Sequence, residues 1–82
     1  MSMFGNGEEQ QQRGVPPLHT EKIVGERKTF YLDLKENERG RFIKITEDVR
    51  GRRDTIILPM EAAEEFMDAL ERVMQASREL GE

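Results

Sequence analysis

From Thr20 onward, short runs of alternating apolar and polar residues are separated by polar or glycine-bearing breaks, the pattern of a strand meander. Strands are predicted over residues 20–26, 28–36, 41–49 and 53–58. In the second, Phe30, Leu32 and Leu34 alternate with Tyr31, Asp33 and Lys35, which gives one apolar face and one amphipathic face. In the third, Ile43 and Ile45 alternate with Phe42, Lys44 and Thr46, so Phe42 lands on the face shared with Tyr31 and Lys35. Asn37 to Gly40 supplies turn chemistry before the third strand, and Gly51 marks the turn after it. Ile56 and Leu58 then fall on the core side, leaving Ile57 on the other.

Pro59 ends the strand pattern and suits the start of a helix over residues 60–79, with Glu61, Glu64 and Glu65 where the N-terminal dipole favours negative charge. Its apolar stripe is Ala62 or Ala63, Phe66, Leu70, Val73 and Met74, with Asp68, Glu71, Arg72 and Gln75 on the wet side and Gly81 at the exit. The expected fold class is therefore α+β: a four-stranded antiparallel meander followed by one C-terminal helix, ββββα. Such a helix is roughly 30 Å long, whereas four strands span roughly 15–20 Å, so the excess length invites a second subunit.

Length sharpens that expectation, because 82 residues form at most one domain with a small core. Residues 1–19, with Gly5, Gly7, Gly14, the Gln10-Gln11-Gln12 run and Pro16-Pro17, read as a disordered N-terminal tail, and residues 20–80 as the folded unit. His19 stands alone at the border and receives no role. The absence of cysteine removes disulfides and thiolate metal sites, no metal-ligand spacing occurs, and no cofactor is expected. No apolar run is long enough to cross a bilayer and no secretory leader pattern is present, so a cytoplasmic protein without membrane association is expected. No carboxylate pair, hydroxyl–histidine pair or phosphate loop supports catalysis or a small-molecule substrate, and the protein is read as a non-enzyme.

The formal charge of −4 hides an uneven distribution. Residues 27–53 contain nine basic and five acidic residues, net +4, and the remainder four basic and twelve acidic, net −8. Basic ends are expected at Asn37 to Gly40 and, at the opposite end of the sheet, at Arg27-Lys28 and Arg50 to Arg53. Strands of about seven residues separate the two ends by roughly 20 Å.

Lys28-Thr-Phe-Tyr-Leu-Asp-Leu-Lys-Glu-Asn37, followed by Gly40-Arg-Phe-Ile-Lys-Ile45, resembles the signature of the purine-rich-element-binding (PUR) repeat. Asp54 to Met60 resembles that repeat's fourth strand and Ala62-Ala-Glu-Glu-Phe66 the opening of its helix, so the resemblance covers residues 20–75. It implies two copies intertwined as a PUR-domain homodimer, each helix packing across the partner's sheet, as in short bacterial-type members with a single repeat. It also implies binding of single-stranded, purine-rich DNA or RNA. The contact positions it implies are Lys28, Lys35, Asn37, Arg39 and Phe42; Tyr31 and Lys44 share the face. Phe30, Leu32, Ile43, Ile45, Phe66, Leu70 and Val73 are expected in the core or dimer interface.

The residues by themselves leave other readings open. Alternation alone favours packing and stacking equally for Phe42, the arginines near Gly40 and Gly51 are ordinary turn residues, and Asn37 is a turn former first. The rival function is a protein-interaction or scaffolding dimer using the mobile tail and the acidic helix, net −5 over residues 61–82.

Overall fold

The computed structural model describes residues 16–81. The first fifteen residues of the expected tail lie outside the described residues. Four strands and one helix follow: β1 (His19–Val24), β2 (Thr29–Asn37), β3 (Gly40–Val49), β4 (Arg52–Pro59) and α1 (Met60–Leu80). The strands form one antiparallel sheet in the order β1-β2-β3-β4, the expected ββββα meander. His19, read as the border of the tail, opens β1 and pairs with Leu34.

Register follows from the turns. Asn37 pairs with Gly40 across a two-residue turn in which the Asn37 Oδ1 accepts the Arg39 N–H at 2.8 Å. Val49 pairs with Arg52 across Arg50-Gly51, both at positive φ (55° and 87°), the backbone of a type I′ hairpin. Asp48 braces this turn, accepting the Gly51 N–H at 2.9 Å through one oxygen and the Arg53 Nε at 2.9 Å through the other. Because both turns are so short, β3 reaches 10 residues, and the two ends of the sheet lie roughly 30 Å apart rather than the expected 20 Å.

Directly opposed residues in an antiparallel ladder share a face, so the pairings sort the sheet into two surfaces. One carries Ile23, Phe30, Leu32, Leu34, Ile43, Ile45, Ile56 and Leu58. The other carries Lys22, Tyr31, Asp33, Lys35, Phe42, Lys44, Thr46, Arg53 and Ile57. The alternation expected from sequence is thus reproduced.

Pro59 precedes α1 with extended backbone (ψ 148°), Glu61 lies in its first turn, and Gly81 closes it at φ 75°, donating its N–H to the Ser77 and Arg78 carbonyls. At 21 residues α1 is roughly 31 Å long, as expected. It touches only β3 and β4 of its own sheet.

The residues expected in the core or dimer interface are not fully buried within one chain. Phe30, Leu32, Ile43 and Ile45 are only half-buried, while Phe66 (43%), Leu70 and Val73 (66%) lie open along α1. Among the described residues Thr46 alone is buried. The radius of gyration is 15.2 Å, against about 11–12 Å for a compact chain of this length, and the longest extent is 47 Å.

Candidate nucleic-acid interface

The ion pairs of the two faces differ. On the apolar face Lys28 Nζ bonds Glu47 Oε2 at 2.6 Å, Arg41 Nε reaches Glu36 Oε2 at 3.3 Å, and His19 meets Glu21. Most basic side chains there are therefore already matched by carboxylates. On the opposite face Arg53 pairs with Asp48, but among the described residues Lys22, Lys35 and Lys44 make no ion pair. Asp33 sits directly across from Lys44, yet its Oδ1 takes the Thr20 hydroxyl at 2.6 Å. This second surface, hereafter the lysine face, keeps cations available for an anionic partner.

Both aromatics of the lysine face have lysine neighbours. Phe42 lies directly opposite Lys35 on one side and Pro59 on the other, and Lys44 follows two residues along β3. Tyr31 lies opposite Lys22 on β1 and Thr46 on β3. The Lys22 Nζ stands 5.8 Å from the Tyr31 ring centre, and the Arg53 guanidinium, reaching across from β4, stands 5.4 Å from it. Along the strands the Tyr31 and Phe42 rows are four residues apart, roughly 13 Å.

Asn37 and Arg39 occupy the turn at the Phe42 end. A backbone N–H can only be met by the carboxamide oxygen, so the Asn37 oxygen is committed to Arg39 and its NH₂ remains a donor.

Of the seven contact candidates, Tyr31, Lys35, Phe42 and Lys44 come together on one surface, with Asn37 and Arg39 at its end. Lys28 is separated from them. Its ammonium is held by Glu47 and stands 5.9 Å from the Phe30 ring, on the apolar face. Lys22 was not anticipated from sequence, and Arg53 only as part of the basic Arg50 to Arg53 end of the sheet. Lys22 is placed by the β1–β2 register and Arg53 by the tight Arg50-Gly51 turn, neither of which alternation reveals. No group of three metal-ligating side chains stands together among the described residues, nor is any helix there long and apolar enough to cross a membrane.

The model of the PurA family, described as PurA ssDNA and RNA-binding protein, matches residues 2–82. The chain belongs to the PurA family. It is 51% identical over 51 residues to Transcription factor Pur-alpha 1 of Arabidopsis thaliana, covering 62% of this chain and 17% of that protein. Over 64 residues it is 42% identical to Transcriptional activator protein Pur-alpha of Homo sapiens, covering 70% of this chain and 20% of the relative. With Transcriptional regulator protein Pur-beta of Homo sapiens it shares 36% identity over 78 residues, 94% of this chain and 24% of the other. The chain thus spans a quarter or less of the length of these relatives. This membership agrees with the resemblance read from Lys28 to Asn37 and from Gly40 to Ile45.

Proposed function

We propose that this chain binds single-stranded DNA or RNA across the lysine face of a homodimer, with purine-rich sequence preferred, and that it acts as a cytoplasmic binding protein rather than an enzyme. The observation that carries the reading is the contrast between faces: most basic side chains are paired with carboxylates on one and are largely unpaired, in register with two aromatic residues, on the other. Single-strand binding needs that combination, a cationic track for the backbone and flat rings on which bases stack. The PurA family description points the same way.

Each cation that neutralises a phosphate releases counterions and makes affinity salt-dependent. Each stacked base contributes about 1–3 kcal/mol with little regard to its identity. Preference among bases then falls to groups such as the Asn37 NH₂, which donates only; guanine offers it adjacent acceptors at N7 and O6.

Dimerisation supports the same surface. The apolar sheet face and the Phe66, Leu70 and Val73 stripe of α1 are complementary in chemistry and uncovered in the single chain. Packing each helix on the partner's apolar face would supply the missing core and leave the lysine faces outward. Burying both surfaces against a second copy gains about 25 cal/mol per Å² of apolar area, the stabilisation that a lone 82-residue chain lacks.

Fluorescence anisotropy of a labelled purine-rich single strand, titrated at increasing salt, tests the proposal. The logarithm of affinity should fall with the logarithm of salt by about 0.7 for each phosphate neutralised. Unchanged anisotropy at micromolar protein and low salt would leave a protein-scaffolding dimer, recruiting partners through its acidic helix, as the better account.

A further inference from the structure

We propose that Tyr31, Lys22 and Arg53 form a second nucleotide subsite on the lysine face, which holds the base and phosphate of a nucleotide about four positions from the one at Phe42. The proposal rests on the single-strand binding reading above and adds to it a place, two unassigned cations and a site size.

Tyr31 receives one cation from each flank: Lys22 from the edge strand β1 at 5.8 Å and Arg53 from the far strand β4 at 5.4 Å. Arg53 must cross β3 to reach the ring, and Thr46, which lies directly between Tyr31 and Thr55, is the buried residue, at 5% exposure. Asp48 holds the Arg53 Nε at 2.9 Å, which orients the guanidinium and leaves both terminal NH₂ groups to donate to a phosphate. Lys22 makes no ion pair among the described residues.

Exposed cation–π contacts are individually weaker than the stacking of a base on an aromatic ring. A base arriving at Tyr31 therefore displaces the cations from its vicinity toward the phosphate that accompanies the base, and the two gains add. The Phe42 row, roughly 13 Å away along β3, places Lys35 directly opposite Phe42 on β2. At about 3.4 Å of rise per stacked nucleotide, four steps join the two rings. Neither ring alone defines a register; two rings at fixed spacing set a minimum strand length of about five nucleotides.

The test uses the full chain and labelled oligoadenylate strands of three and eight nucleotides in anisotropy titrations. Wild type should bind the longer strand well beyond the shorter. Lys22→Gln, an exposed edge-strand change that leaves the turns intact, should weaken binding of the eight-nucleotide strand several-fold and lower its salt slope by about 0.7. Arg53→Gln should do the same, Arg53→Lys should restore the slope, and Tyr31→Leu should remove most of the length dependence. If Phe42→Ala weakens binding while Lys22→Gln, Arg53→Gln and Tyr31→Leu leave affinity and slope at wild-type values, the second subsite is wrong and the binding reading stands. If wild type binds neither strand, both fall together.

Discussion

Phe42 is the residue on which the proposed interface turns, since alternation alone balanced stacking against packing. In the structure it lies in register between Lys35 on β2 and Pro59 on β4, on the face that α1's apolar stripe does not chemically match. Phe42→Ala is expected to weaken single-strand binding by about 1–3 kcal/mol, the worth of one stacked base, while thermal unfolding hardly moves; coupled loss of the dimer would make it a seam residue. Lys28 and Lys35 form a second contrast. Lys28→Gln breaks the contact with Glu47 on the apolar face and should leave the salt slope nearly unchanged, whereas Lys35→Gln should lower it by about 0.7. Parallel salt titrations of the two variants separate them. The placement of Lys28 was legible in one respect: two residues before Phe30, it has the same strand parity. The family resemblance places it in the contact set, and the parallel titrations decide between the two.

At the scale of elements, the strands and helix were readable to within a residue or two, because alternation, Asn37, Gly40, Gly51 and Pro59 all punctuate at the true boundaries. Strand length and sheet span were less legible. They depend on turn type, and Arg50 at φ 55° is a position where asparagine or glycine is the usual occupant. An arginine there tolerates left-handed backbone at a cost of roughly 1–2 kcal/mol, which the Asp48 bonds to Gly51 and Arg53 offset. Arg50→Asn should therefore raise the melting temperature by about 2–5 °C in a calorimetric scan, since about 1 kcal/mol moves a domain of this size by several degrees. A lowered melting temperature would mean that the Arg50 side chain contributes contacts outweighing the backbone strain.

The whole molecule shows what neither residue nor element patterns disclose: a correct set of elements in which no apolar side chain is buried among the described residues. Periodicity identified the apolar sheet face and the α1 stripe but could not say how much of each stays uncovered within one chain, because that depends on where α1 lies against β3 and β4. Phe66→Asp places a charge in the proposed helix–sheet seam and is expected to abolish folding and dimerisation together. Sedimentation equilibrium reads this directly: wild type should run at twice the 9.6 kDa of the chain, and a soluble, folded Phe66→Asp monomer would exclude the intertwined arrangement. The −4 overall charge was the least informative quantity, as it averages an acidic helix with a face carrying Lys22, Lys35, Lys44 and Arg53.

The central claim is spatial, namely that nucleic acid lies on the lysine face. Ultraviolet crosslinking of a bound single strand, followed by mass mapping of the modified residues, reads that face without any substitution. Adducts concentrated at Phe42 and Tyr31 are the predicted result; adducts at Phe30 or along α1, with Phe42 and Tyr31 unmodified, would contradict it.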